Sequence, residues 1–256
     1  MTGRYRMFVK ILLLVGLLEA GLCLFFYLFQ RSFLYRPTPP TSEHADALVL
    51  EVPGAEIRIS AEVRSTPKAL LFFGGNAEDV AITVPKLAEL FPDRAVYGMH
   101  YRGYSGSTGK PSEAALRSDA RQVFAMVEER HPDVMLVGRS LGSSLAVGLA
   151  RDPAVSRLVL IAPFASILRI AQRAAPFLPM RLLLKDRYES WRYAPQVQCP
   201  TLLLAASHDE LVPMADTERL WEAFRPGVAR LRVMGGTDHN TVASVPEFYE
   251  ALLTGE

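Results

Sequence analysis

The sequence predicts an α/β fold: a mostly parallel sheet with helices on both faces, preceded by one apolar helix of membrane length. Three observations carry this. From about residue 47 onward, short continuous apolar runs alternate with amphipathic stretches, as in strands buried on both faces. Val134-Met135-Leu136-Val137 leads into Gly138-Arg139-Ser140-Leu141-Gly142 and then into the small-residue stretch 143–150, a strand–turn–helix layout. Half of the 256 residues are hydrophobic, a high share for a soluble domain, and the first thirty residues concentrate them.

At the N-terminus, Arg4, Arg6 and Lys10 precede an apolar run over residues 11–29 in which Glu19 is the only charge. About 19 residues is close to the helical length that crosses a bilayer core. A cleaved signal peptide fits less well, because Phe25, Phe26 and Phe29 stand where cleavage needs small residues. A lipoprotein signal fails too, since Leu22 directly precedes Cys23. An uncleaved, single-pass anchor over residues 1–30 is therefore expected, with Glu19 as its costly feature. Three basic residues before the span, against Arg31 and Arg36 after it, point to an internal N-terminus and an outer, extracytoplasmic catalytic domain. Prolines in Arg36-Pro37-Thr38-Pro39-Pro40 predict an extended linker over residues 31–46. The globular domain then occupies 47–256.

Within it, 48–52 and 57–63 predict an antiparallel hairpin turning at Pro53-Gly54. Further strands are predicted at 69–73, 95–99, 134–137, 157–161, 201–205 and 231–234. Residues 113–130 form a helix with Leu116, Ala120, Val123, Phe124 and Val127 on one stripe, and 217–224 and 246–253 are helices as well. No internal repeat or low-complexity tract is present.

Composition narrows the function classes. A formal net charge of +1 gives no footprint for nucleic acid. Cys23 and Cys199 make neither a disulfide framework nor a zinc site and read as small apolar residues, so no metal is expected. The stretch 103–111 brushes against a phosphate-binding loop. Its glycine spacing is off by one, and Pro111 stands where a Mg-binding hydroxyl belongs.

The chemistry starts at Ser140. Small flanking residues let the turn be tight, which lifts a serine hydroxyl above the end of a strand and aims the N–H of Leu141 at a developing oxyanion. A serine needs a base. His44 lies in the linker, His100 ends a strand, His131 ends a helix and His208 directly precedes an acid. His239 follows the last strand in Gly235-Gly236-Thr237-Asp238-His239-Asn240, far enough along to leave room for an intervening acid. That acid should follow the 201–205 strand. Asp209 is the best candidate, with Glu210 and Asp238 as rivals. A second oxyanion donor is expected near Asn76, in the loop Gly74-Gly75-Asn76-Ala77 after the 69–73 strand.

Five stretches together resemble the α/β-hydrolase superfamily: Phe73-Gly74-Gly75-Asn76-Ala77, Tyr101-Arg102-Gly103-Tyr104-Ser105-Gly106, Gly138-Arg139-Ser140-Leu141-Gly142, Asp209-Glu210-Leu211-Val212-Pro213 and Asp238-His239-Asn240. The resemblance is to its membrane-anchored serine hydrolases, which include protein-depalmitoylating thioesterases and relatives called serine aminopeptidase-like. It implies an α/β-hydrolase fold, Ser140 as nucleophile, Asp209 as acid, His239 as base, and the backbone N–H groups of Asn76 and Leu141 as oxyanion hole. No cofactor is implied. Relatives usually carry His-Gly before that asparagine; Gly74-Gly75 here implies a more mobile loop. In this family a segment such as 163–198 caps the site. Its apolar residues with basic edges suit an acyl chain near anionic lipid, or equally plain helix packing. The expected activity is hydrolysis of a carboxylic ester or thioester of a small-molecule or lipid-like substrate. A serine peptidase of the same fold, or an idle membrane-tethered binding protein, are the alternatives.

Overall fold

A computed structural model describes residues 2–40 and 47–255, and the side chains of 5–40 and 47–255. The linker's 41–46 portion, with His44, lies outside the described residues. The chain opens with α1 (Thr2–Leu34), one continuous helix. Its 30-residue stretch Tyr5–Leu34 is long and apolar enough to cross a membrane. One face of its C-terminal third packs on the rest of the molecule, at Cys23, Phe26, Gln30 and Leu34; residues 10–22 are exposed. The predicted linker leaves the helix hydrogen-bonded to the globular part. Ser105 N donates to the Thr38 carbonyl (2.8 Å), and the Thr38 and Ser105 hydroxyls lie 2.7 Å apart.

The sheet has eight strands among the described residues, ordered β1-β2-β4-β3-β5-β6-β7-β8. β1 (Leu48–Val52) and β2 (Ala55–Glu62) form the expected hairpin over Pro53-Gly54, with Gly54 at φ 76°. β2 runs antiparallel to β4 (Ala95–Met99). β4, β3 (Lys68–Phe73), β5 (Asp133–Arg139), β6 (Val155–Ile161), β7 (Thr201–Ala206) and β8 (Ala229–Met234) are parallel. The central strands β3 to β7 are almost wholly buried, which is why they read as continuous apolar runs.

Two hydrophobic cores lie on the two faces. One holds the stripe of α3 (Glu113–Glu128), α4 (Leu141–Leu149) and α7 (Met214–Ala223). The other holds α2 (Val80–Leu90) and α8 (Pro246–Thr254). α2 is not among the elements expected from the sequence; Pro85 sits inside it and interrupts the helical pattern. The Asp79 carboxylate caps its first turn by accepting from Ala81 N (3.1 Å), and Val80, Val84, Leu87 and Ala88 bury one face. Most predicted elements gain one to three residues at an end, where ladder or helix bonds continue past the apolar core. Between β6 and β7 the chain forms α5 (Ile167–Ala174), α6 (Met180–Leu183) and two short 3-10 turns.

Candidate active site

Ser140 joins β5 to α4. Its φ of 48° with ψ of −113° is a conformation that L-residues rarely adopt. The turn is held by Ser140 N donating to the Ile161 carbonyl (2.8 Å) and by Ser143 Oγ donating to the Ser140 carbonyl (2.6 Å). A Cβ at Gly138 would stand 2.6 Å from the Gly142 carbonyl oxygen, and one at Gly142 would overlap the Phe73 carbonyl. The two glycines therefore do different work. Gly138 lets α4 close on its own strand, and Gly142 lets α4 pass the end of β3.

Asp209 lies three residues past β7 and His239 five past β8, so both reach the same rim as Ser140, above the carboxyl ends of parallel strands. The Asp209 carboxylate accepts from Leu211 N (3.0 Å) and Val212 N (2.7 Å) through Oδ1. Its Oδ2 lies 2.7 Å from His239 Nδ1. An ionised carboxylate can only accept, so Nδ1 carries the proton and Nε2 is the acceptor, 3.0 Å from Ser140 Oγ. Both side chains are shielded, with 12% of His239 and 5% of Asp209 exposed. The rival acids are elsewhere. Glu210 is exposed, while Asp238 accepts from Asn240 N (2.8 Å) and Thr241 N (2.9 Å) and so caps its own turn. Those two backbone donors hold the Asp238 carboxyl below the usual range.

The other described histidines pair with other groups. His100 pairs with Ser60 Oγ (2.8 Å), His131 with Tyr97 OH (3.0 Å) and the Thr66 carbonyl (2.7 Å), and His208 with Ser207 Oγ (2.8 Å). No group of metal-binding side chains occurs among the described residues. A cavity of about 630 Å³ opens over Ser140 and His239. Asn76 and Leu141 line it, and among the described residues neither backbone N–H donates to another group of the chain. Phe164, Ile167 and Ile170 of the β6–β7 segment, with Phe33 and Leu34 of α1, give it an apolar wall.

The chain matches the profile of the alpha/beta hydrolase family over residues 70–255. It is a member of the α/β-hydrolase family. Among its relatives, the uncharacterized protein Rv2307c of Mycobacterium tuberculosis is 29% identical over 91% of this chain and 88% of that one. The alpha/beta hydrolase domain-containing protein aho-3 of Caenorhabditis elegans is 30% identical over 72% of this chain and 55% of that one. Among solved structures, the Pyrococcus furiosus esterase superposes with a TM-score of 0.64, covering 86% of this chain and 97% of that one at 14% identity.

In this α/β hydrolase the loop after β3 is braced where the two glycines implied mobility. Tyr101 OH donates to the Gly74 carbonyl (2.6 Å), and Gly75 N donates to the Glu78 carboxylate (2.7 Å). The Asn76 side chain is held on both ends. Its Oδ1 accepts from Arg36 N (2.9 Å) and Tyr104 OH (2.7 Å), and its Nδ2 donates to the Leu34 carbonyl (2.6 Å). Burial pushes the Tyr104 phenol up to about 12, against the backbone donor at Arg36, so it stays a donor at neutral pH.

Sequence reasoning missed Glu78, Arg139 and Tyr104. Glu78 also accepts from Thr83 Oγ1 (2.9 Å) and pairs with Arg139 (3.4 Å), which reaches the His239 carbonyl (3.4 Å). Arg139 thus ties the serine turn, the Asn76 loop and the His239 loop together. Its place inside the Gly-x-Ser-x-Gly turn was the available signal.

Proposed function

We propose that this hydrolase is a membrane-anchored serine hydrolase that cleaves carboxylic esters or thioesters through an acyl-enzyme. The observation that carries this is the continuous relay of Ser140 Oγ, His239 and Asp209, with contacts of 3.0 and 2.7 Å. Ser140 Oγ attacks the carbonyl carbon while His239 Nε2 takes its proton, and Asp209 stabilises the resulting imidazolium. The oxyanion that forms meets the free N–H groups of Leu141 and Asn76. The imidazolium then protonates the leaving oxygen or sulfur as its bond to the carbonyl carbon breaks. Water repeats the sequence on the acyl-Ser140 ester and releases the acid. No cofactor or metal takes part.

The apolar cavity wall supports a small or lipid-like acyl group. The esterase named among the structural neighbours belongs to the same reaction class. We assign residues 1–30 to a membrane anchor, 31–46 to the linker, and 47–256 to the catalytic domain, with 163–198 as its cap and the domain on the extracytoplasmic side. The test is labelling by a fluorophosphonate probe together with turnover of p-nitrophenyl esters of increasing chain length. The wild-type protein should be labelled and active, and the folded Ser140→Ala protein neither. A folded wild-type protein that takes no label would sink the catalytic proposal and favour an idle binding scaffold.

A further inference from the structure

Resting on the reading of α1 as a membrane anchor, we propose that the tip of the cap, residues 175–185, is seated in the headgroup layer of the same bilayer. Depth along α1 carries this. The contact stripe on the cap begins at Cys23 and Phe26, which pack on Leu168, Leu178 and Met180. It continues at Gln30, which donates to the Leu183 carbonyl (2.9 Å) and accepts from Lys185 N (2.6 Å). The apolar run ends only at Phe29. Cys23 therefore lies six residues inside that run, about 9 Å along the axis at ~1.5 Å per residue.

The apolar run over residues 11–29, roughly 28 Å long at ~1.5 Å per residue, matches a hydrocarbon core of about 30 Å, so Phe29 marks the outer edge of that core. A cap that touches α1 about 9 Å below that edge carries its tip through the headgroups to the acyl chains, within the roughly 5–10 Å to which interfacial helices bury their apolar face. Sliding α1 outward until Cys23 clears the surface would draw Lys10 and Arg6 into hydrocarbon, which is the costlier arrangement. Glu19 lies on the same stripe one turn deeper, below the contacts with the cap.

The surface of the tip has matching chemistry. Phe177 is 68% exposed and Leu182 81% exposed, both bulky and apolar. Close to them in sequence, the exposed guanidinium groups of Arg173 and Arg181 have no partner among the described residues. Lys185 stands over the Tyr27 ring of α1 at 3.8 Å. Apolar side chains that enter the acyl boundary, ringed by cations at the level of lipid phosphates, are what an interfacial membrane contact requires.

The test uses the full chain with Cys23→Ala, reconstituted in vesicles of phosphatidylcholine and phosphatidylglycerol; Cys199 is buried and stays unlabelled. One environment-sensitive dye is placed in turn at Phe177→Cys, at Leu14→Cys within the span, and at Lys86→Cys on α2, exposed on the catalytic domain. Lipids carrying a nitroxide near the headgroup should quench the Phe177→Cys dye by at least about half, and aqueous iodide should not reach it. Lipid nitroxides should quench the Leu14→Cys dye, and iodide should quench the Lys86→Cys dye. A Phe177→Cys dye as open to iodide as the Lys86→Cys dye, with the Leu14→Cys dye still quenched by lipid nitroxides, overturns the seating of the cap and leaves the anchor. A Leu14→Cys dye that no lipid nitroxide quenches overturns the anchor itself, and the cap proposal with it.

Discussion

The Leu34 carbonyl, at the last residue of α1, accepts a 2.6 Å hydrogen bond from the side-chain amide of Asn76, in the loop over Ser140. Two residues further on, Arg36 N donates to the other end of the same amide. The end of the apolar helix is therefore part of the wall of the candidate active site. Deleting residues 1–29 keeps both contacts and should leave kcat on a soluble ester within about twofold. Asn76→Ala, which breaks all three of its side-chain bonds, should lower kcat at least tenfold with KM little changed. Misplacing one oxyanion donor costs up to roughly 10²–10³-fold. Steady-state kinetics on p-nitrophenyl butyrate separates the two variants.

Asp209 and Asp238 make opposite expectations. Asp209→Asn keeps the shape but removes the acceptor that fixes the proton on His239 Nδ1, and kcat should fall by about 10⁴. Asp238→Asn weakens only the cap on the His239 turn, and kcat should stay within about tenfold of wild type. Equal losses in the two variants would contradict the assignment of the acid.

Gly142→Ala should fail on stability before chemistry. Its Cβ would overlap the Phe73 carbonyl, which belongs to a central strand and cannot move aside. Overpacking of this kind costs roughly 1–3 kcal/mol or more. Chemical denaturation should show a lowered midpoint with an unchanged slope, or no folded protein at all.

Most of the fold was legible because parallel strands buried on both faces are apolar without interruption, and their ends hold the chemistry. Ser140 and Asp209 stood out because each follows such a strand, and His239 because it stands in a glycine turn after the half-exposed edge strand β8. Helix α2 did not, since Pro85 breaks the local pattern while the Asp79 cap and the buried stripe Val80, Val84, Leu87 hold it. The bracing of Gly74-Gly75 was hidden for another reason. It comes from Tyr101, Tyr104 and Glu78 and from the end of α1, and three of these four lie more than 20 residues away in sequence. The docking of residues 34–38 was hidden in the same way, because a proline-rich composition reports the conformation of a segment and not what the segment touches.

Tyr104 gives a pH dependence with a definite sign. Its phenol is pushed up to about 12 by burial, so the folded state favours the neutral form relative to an unfolded value of about 10. The contribution is complete below pH 10 and is lost as pH rises from about 10 to about 12. Thermal unfolding across that window should fall less steeply for Tyr104→Phe than for wild type.

The central proposal is an acyl group carried by Ser140. The direct measurement is rapid acid quench of the enzyme during turnover of a p-nitrophenyl ester, followed by digestion and peptide mass spectrometry. The account expects the acyl mass on the peptide containing Ser140, building up further in variants that slow deacylation and absent from Ser140→Ala. Sustained turnover by Ser140→Ala, or an acyl group found on a different residue in the wild-type protein, would contradict it.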